Sequence, residues 1–336
     1  MSAPLPAPEP SPKRQLRGQA LLAWVVILAV CVFLVWRNVV ADASGEPPKS
    51  GLDPKKPNPV LLLAAAAMLF TAVTGLLLLI LWVVFVANGT LRLRLRAFPR
   101  YGAIYAETFA LWLVLFIGLQ FAVPLIPAGK SRLLVSGLAM LFSVTAVAWP
   151  LVRGVRWGRV RYDLGLHAGT AEPGIELLCG LGGYAAALAM AFAGALVTFG
   201  LMALRKKLAP SAPDTMPSHP AAGLIIDGDL WVRLQVLFTA AVVAPIVEEI
   251  MFRGVLYRHL RELSYRWGKV MSICAGTMAT SFVFAAIHPQ GWLGIPPLMG
   301  LAAVFTLTRE WRGSLLPSMV AHGVNNAVVT VVLIAM

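Results

Sequence analysis

Long apolar runs make up most of this chain, and short basic segments separate them. A membrane-spanning helix needs about 20 mostly apolar residues, and the sequence supplies such runs one after another. The pattern predicts nine spans: Ala20 to Trp36, Val60 to Val86, Thr108 to Ile126, Leu133 to Val152, Ile175 to Leu204, Leu234 to Ile250, Val270 to Ile287, Trp292 to Leu307, and Leu315 to Met336. We therefore expect an all-α, polytopic transmembrane bundle of about eight or nine helices.

Two of these spans allow a second interpretation. The eighth is short and contains Pro296 and Pro297, so it could be re-entrant or could merge with a neighbouring span. The first could be a signal peptide cleaved after Ala43. Its apolar core is long and Arg37 intervenes, so an uncleaved anchor is favoured.

Composition supports a membrane protein. The 336 residues are 59% hydrophobic and only 13% charged, whereas soluble domains contain roughly 25% charged residues. The net charge of +13 would suit a nucleic-acid-binding protein if it formed a continuous basic face. It lies in short runs between spans, so we expect the lipid bilayer as a partner and no nucleic acid.

The basic residues also predict an orientation. Nine spans place 18 of the 28 Lys and Arg residues on the N-terminal side of the membrane, which indicates a cytoplasmic N-terminus. The opening segment, 1–19, is rich in Pro, Ala and Ser and is expected to be a disordered cytoplasmic tail. The segments Arg37 to Pro59 and Arg205 to Asp229 are too short to bury a core of their own.

Ionisable residues inside apolar spans are costly, so each needs a reason. In AAVVAPIVEEIMFRG, Glu249 and Arg253 are one helical turn apart and can form an ion pair. Glu248 points about 100° away and has no nearby cation in the sequence. Burial makes a carboxylate a stronger base, and Glu248 is therefore a candidate general base.

Two later segments add polar groups of a matching kind. Phe284 and His288 share a face near the end of the seventh span, and His322 and Asn326 lie one turn apart in the last. Two histidines, a diglutamate and an amide could activate water and stabilise an oxyanion. In isolation, a membrane histidine is often only an interhelical hydrogen-bond partner. The EExxxR end could also be an interfacial salt-bridge cluster that continues through Arg258 to Arg266.

Other peptidase patterns fit poorly. IIDGDLW at 225–231 lacks the first Gly of an aspartyl GxGD motif, and its only candidate partner, Asp163, lies in an apparently basic loop. HExxH is absent, and no GxSG precedes a later His. His167, His219 and His259 are interpreted as surface residues. The three cysteines form no CxxC pair.

The ordered set Glu248-Glu249-xxx-Arg253, Phe284-xxx-His288 and His322-xxx-Asn326 resembles the CPBP family of CAAX prenyl endopeptidases and bacteriocin-processing enzymes. RYDLGLHAG at 161–169 looks like the short LGL lead-in of that family. The resemblance covers 161–336 as an intramembrane peptidase core. It leaves 20–160 as N-terminal transmembrane helices of unassigned role.

The resemblance implies an endopeptidase that cuts membrane-associated or lipidated, CAAX-like proteins. Carried over, Glu248 would activate water with the help of His288, and His322 and Asn326 would hold the oxyanion. Glu249 and Arg253 would orient their helix. A metallopeptidase is also compatible: Glu248, His288 and His322 could bind zinc, whereas the glutamate mechanism needs no cofactor.

Two other function classes stay open. A non-catalytic scaffold or immunity protein would keep the fold without the chemistry. The intact set of four polar residues, Glu248, His288, His322 and Asn326, counts against that. A proton-coupled transporter would show inverted repeats and functional charges in both halves, whereas this sequence has such charges only in the second. We expect an integral protein of a bacterial inner membrane.

Overall fold

The computed structural model describes residues 17–44, 59–95, 101–169, 171–209 and 221–335. Within these ranges the regular structure is entirely helical. The α-helices are α1 Arg17–Ser44, α2 Pro59–Ala87, α3 Ile104–Ala122, α4 Arg132–Ser143, α5 Trp149–Val152, α6 Trp157–Leu164, α7 Pro173–Leu208, α8 Ala221–Asp227, α9 Leu230–Phe238, α10 Ala244–Glu248, α11 Tyr257–Leu263, α12 Lys269–Ile287, α13 Ile295–Arg312 and α14 Leu316–Ala335.

Eight helical segments in the described ranges are long and apolar enough to cross a bilayer. The protein is an integral membrane protein with an all-α, polytopic fold, as the sequence predicted. The predicted eighth span corresponds to α13, which is not among these eight. Pro296 and Pro297 do not break it: they lie in its first turn, where no intrahelical hydrogen bond is lost.

The contact between α7 and α13 is close because glycines line it. A Cβ atom on Gly194 would lie 2.4 Å from the backbone oxygen of Pro296, and one on Gly300 would lie 2.4 Å from that of Met190. Small residues let membrane helices approach until their backbones touch, where van der Waals contact drives association. The two glycines therefore set the position of α13, which forms one wall of the candidate site.

An aromatic cluster joins the N-terminal helices to the second half of the chain. Phe252 packs edge-on against Phe109, Trp112 and Phe284, with ring centroids 5.1 to 5.6 Å apart. The first helix belongs to the same core, since Ile27 is buried there and α1 packs on α3 and α12. The first helix is therefore packed into the same bundle as the second half of the chain.

Buried ion pairs tie one end of the bundle together. Asp163 is buried in α6 and pairs with Arg159 and Arg258, so its assignment to a basic loop was wrong. Arg312 donates two hydrogen bonds, of 2.9 and 2.8 Å, to the carboxylate of Glu176. Arg258 is also buried and pairs with Glu262 at 2.7 Å, so the charged run after the diglutamate forms ion pairs inside the protein.

The LGL lead-in holds α6 against the loop before α14. Leu315 donates its backbone N–H to the oxygen of Gly165, and the hydroxyl of Ser314 donates to the oxygen of His167. Position 165 requires glycine, because its φ is 78° and a Cβ there would lie 2.5 Å from the Arg309 guanidinium. Burial and the neighbouring Arg309 lower the pKa of His167, which is half-buried.

The predicted tail and linkers correspond only partly to the structure. The tail lies outside the described residues except for 17–19, which belong to α1. Arg37 to Ser44 is helical, and so are 205–208 and 221–227, which shortens both linkers. Asp229 is exposed, caps α9 by accepting from the N–H of Val232, and pairs with Lys130 at 2.7 Å.

A matched pair of glycines in α7 tests the close packing. We expect Gly194→Ala to lower the thermal unfolding midpoint in detergent, because the new methyl group collides with the Pro296 backbone. Gly200→Ala should leave the midpoint unchanged or slightly raised, since nothing lies within 4 Å of a Cβ there. Equal midpoints for the two variants would contradict the close contact.

Candidate active site

The two glutamates lie on a continuous helical segment, Leu230–Leu263, which we call the diglutamate helix. Two stretches of this helix, Thr239–Val243 and Glu249–Leu256, are π-helical, and the short α-helix α10 lies between them. π-helical turns inside α-helices are rare and often mark functional sites. Glu248 ends α10 and Glu249 begins the second π-helical stretch, so the carboxylates flank a change of register.

Asn326 stabilises the first of these π-helical turns. In π register the N–H of residue i bonds to the oxygen of residue i−5, as that of Ala244 does to Thr239. Pro245 has no N–H and leaves the oxygen of Ala240 without this donor. The amide nitrogen of Asn326 donates to that oxygen at 2.9 Å instead. Asn326 therefore joins α14 to the diglutamate helix.

The predicted ion pair forms and is fully buried. Glu249 and Arg253 are 0% exposed, and Oε1 lies 2.9 Å from Nη1. The guanidinium of Arg253 is held by the ring of Phe284, 4.6 Å away, and by that of Phe305, 5.5 Å away. It also donates to the oxygen of Ala302 at 3.2 Å. The pair is fixed on three sides by α12 and α13.

His322 connects the two glutamates. Its Nδ1 lies 3.0 Å from Oε1 of Glu249, and its Nε2 lies 3.6 Å from Oε2 of Glu248. The imidazole stacks on Phe305 with a centroid separation of 5.1 Å. Its contact with Glu249 fixes the direction in which its other nitrogen points.

His288 approaches Glu248 from the end of α12. Its Nε2 lies 3.9 Å from Oε2 of Glu248, and its Nδ1 lies 2.5 Å from the oxygen of Phe284. The side chains of Glu248 and His288 are 15% and 17% exposed, respectively, whereas the ion pair beneath them is inaccessible. The accessible part of the cluster is thus the carboxylate of Glu248 with the edge of His288.

The hydrogen bonds assign the protons of both rings. Each Nδ1 faces an oxygen acceptor and must carry a proton, so each Nε2 of a neutral ring presents a lone pair. Both Nε2 atoms lie within 4 Å of Oε2 of Glu248, which accepts no hydrogen bond from the described residues. Two bases and a carboxylate oxygen around one point can bind a water molecule or the proton it releases.

The same donors were predicted as a zinc set, and their spacing can be tested. Ligand atoms of one tetrahedral zinc ion lie roughly 3.3 Å apart. Here the Nε2 atoms of His322 and His288 are 3.6 and 3.9 Å from Oε2 of Glu248. The described residues contain no group of three or more His, Cys, Asp or Glu with the geometry to hold a metal. The three donors stand slightly wider apart than the ligands of one zinc ion, and the steps proposed below use only the side chains of this chain.

The structure brings together five of the six predicted side chains, whereas the contact of Asn326 with the diglutamate helix is at Ala240, two turns before Glu248. Some of their surroundings were not predicted. Phe305 contacts both His322 and Arg253. It lies in the predicted eighth span, which contains none of the motifs, so nothing in the sequence indicated this role. The Ala240 oxygen could have been suspected from Pro245, which removes its donor. His259, interpreted as a surface residue, is only 4% exposed and lies 5.6 Å from the Trp24 ring, so that interpretation was wrong. His219 lies outside the described residues.

Comparisons with known proteins match the part of the chain that contains these side chains. Residues 230–328 match the family model of type II CAAX prenyl endopeptidase Rce1-like proteins, and this range contains all six side chains. The chain carries a CPBP-family domain. One relative of this CPBP domain is the membrane-embedded CAAX protease MroQ of Staphylococcus aureus (strain USA300), which is 24% identical over 95 residues.

That alignment covers 28% of this chain and spans 38% of the relative's length. No solved structure matches the chain significantly. The matched range begins at the first residue of α9 and ends within α14, so α1 to α8 lie outside it.

The Asn326 contact makes a prediction for stability. Asn326→Ala leaves the Ala240 oxygen without its donor, which should cost ~1–3 kcal/mol and lower the thermal midpoint in detergent. Asn325→Ala is the matched control, because the Asn325 amide donates only to the neighbouring Asn326 side chain at 3.1 Å. A larger loss in the Asn325 variant would refute the stabilising role.

Proposed function

We propose that this protein is an intramembrane endopeptidase that hydrolyses peptide bonds with water activated by Glu248. The observation that carries the proposal is the convergence of Oε2 of Glu248 with the Nε2 atoms of two histidines, at 3.6 and 3.9 Å, in a partly exposed position. The family match of residues 230–328 supports the same reaction class.

In the proposed mechanism Glu248 removes a proton from water while Nε2 of His288 accepts the second hydrogen bond and orients the molecule. The water oxygen attacks the peptide carbonyl carbon, and the π electrons of that carbonyl move onto its oxygen. Glu248 then gives its proton to the amide nitrogen as the C–N bond breaks. The products are a carboxylic acid and an amine, and the enzyme is unchanged.

His322 and Asn326 are the proposed oxyanion ligands. In the protonated ring, Nε2 of His322 donates to the oxyanion while the carboxylate of Glu249 accepts from Nδ1. Asn326 uses one N–H on Ala240 and has a second for the oxyanion. In this scheme Glu249 and Arg253 hold the imidazole in place and do not touch the substrate.

The proposed substrates are membrane-associated peptides, including lipidated, CAAX-like protein ends. Partial exposure of Glu248 and His288 within a membrane-spanning segment suits a chain that approaches from the bilayer. We place the protein in a bacterial inner membrane with a cytoplasmic N-terminus, following the basic residues between the spans.

A scaffold or immunity protein of the same fold is the second candidate. It would bind a hydrophobic peptide at the same place without cutting it. The partly exposed carboxylate of Glu248 beside two imidazole Nε2 atoms, which binding of an apolar peptide does not require, favours the enzyme. Activity measurements separate the two candidates.

Glu248→Gln provides the direct test, because it keeps the size of the side chain and removes the base. We expect cleavage of a fluorogenic, membrane-associated peptide library by detergent-purified protein to fall by about 10²–10⁴-fold. His288→Ala should show a loss of similar kind. Glu172→Gln, which changes an exposed glutamate outside the matched range, should keep full activity.

Each reaction is also run with and without a zinc chelator. Loss of wild-type activity that zinc restores would favour the zinc set Glu248, His288 and His322 over the metal-free mechanism. If folded wild type and Glu248→Gln release equal amounts of product across the library, the peptidase proposal fails and the scaffold remains.

A further inference from the structure

An apolar cavity of 410 Å³ lies between α2, α7 and α13, and neither Glu248 nor His288 lines it. Leu78, Leu81 and Phe85 of α2 form one wall, and α7 and α13 form the others through residues such as Gly182 and Val304. Its volume is in the range of small-molecule pockets, which is about 300–1,000 Å³. Two of its three walls, α2 and α7, are candidate membrane spans, so the cavity faces the hydrocarbon region.

The lining is built for a flexible hydrocarbon chain. It consists almost entirely of aliphatic and aromatic side chains, and its polar groups are the hydroxyl of Thr308, the thiol of Cys179 and the indole N–H groups of Trp82 and Trp311. That hydroxyl is already used, since it donates to the oxygen of Val304 at 2.9 Å. A peptide segment would leave its backbone N–H groups without partners in such a cavity.

One end of the cavity has a positive charge. Leu91 and Trp311 line this end, and Arg92 and Arg94 follow Leu91 with exposed side chains. The loop is held in place, because the backbone N–H groups of Arg94 and Leu95 donate to the oxygen of Glu310 at 3.0 and 3.1 Å. An apolar cavity with fixed cations at its mouth is complementary to an anionic amphiphile.

We propose that this cavity binds one acyl chain of an anionic phospholipid, with the lipid phosphate at Arg92 and Arg94. Under the predicted orientation these arginines are cytoplasmic, the side on which anionic lipid attracts basic residues at roughly 1 kcal/mol each. The site gives α2, which lies outside the matched domain, a role as the outer wall of a lipid site.

The bound lipid would also brace the candidate active site. Val304 lines the cavity, and the next residue of α13, Phe305, stacks on His322. Ala321, beside His322 in α14, packs in the same apolar cluster as Ala186 of the cavity wall. Lipid binding itself does not depend on the proposed peptidase reaction.

The test uses the purified full chain in neutral detergent with phosphatidylglycerol that carries a photoreactive group in its acyl chain. After irradiation, mass spectrometry locates the adducts, and phosphatidylcholine with the same reactive chain is the charge control. We expect phosphatidylglycerol adducts on the cavity-lining residues of α2, α7 and α13, and about tenfold fewer with Gly182→Leu.

Two glycines of α7 make a matched pair for this experiment. At Gly182 the nearest atom to a new Cβ is Leu78 Cδ1 at 3.8 Å, so leucine fills the cavity without a backbone collision. Gly200→Leu adds the same side chain to α7 where nothing lies within 4 Å, and labelling should not change. Arg94→Glu, on the exposed loop, should reduce phosphatidylglycerol labelling about fivefold and leave phosphatidylcholine labelling unchanged.

Three results would overturn the proposal: equal cavity labelling in the Gly182 and Gly200 variants, no preference for phosphatidylglycerol, or adducts concentrated at Glu248 and His288. The last result would indicate that the lipid enters as a substrate mimic. Only variants whose thermal midpoints match that of wild type are compared. If Gly182→Leu unfolds, the Arg94→Glu variant decides the outcome.

Discussion

The buried ion pair between Glu249 and Arg253 organises the site. Both side chains are fully inaccessible, and removing one partner of such a pair costs about 3–5 kcal/mol because a buried charge is left alone. Arg253 is held between the rings of Phe284 and Phe305, and through them it connects α12 and α13 to the diglutamate helix. Glu249 uses the same oxygen to orient His322. Glu248 remains as the accessible carboxylate.

This arrangement explains why two adjacent glutamates can have different roles. On one helix they point in different directions, and only the inner one meets a cation. The inner carboxylate is committed to Arg253 and His322, so it is a poor base. The outer one lies 3.6 and 3.9 Å from the Nε2 atoms of His322 and His288, is partly exposed, and is suited to exchange a proton with water. The two glutamates therefore differ in role because their surroundings differ.

Part of this could be predicted from the sequence. Apolar runs of about 20 residues predicted the helical bundle, and the spacing of Glu249 and Arg253 predicted their pairing because both lie on one helix. Local periodicity carries that information. It does not determine what a residue meets on another helix, which is why the ion pairs of Asp163 and the burial of His259 were missed. Both depend on contacts with α1, α6 and the diglutamate helix.

The winding of the diglutamate helix was also beyond the sequence pattern. Pro245 alone permits a kink, a break or a wide turn. At the π-helical turn the side chain of Asn326, 81 positions after Pro245, supplies the hydrogen bond that the proline cannot. A residue predicted for the oxyanion thus has a structural contact as well. Loss of activity on replacing it would not by itself show a catalytic role.

A double-mutant cycle tests the central claim that Glu248 and His288 act on the same water molecule. Single-turnover cleavage rates are measured for wild type, Glu248→Gln, His288→Ala and the double variant in detergent. Groups that act as one unit are not additive, so the double variant should be no slower than the slower single variant. If the two losses multiply instead, the residues act independently and the shared-water mechanism is wrong.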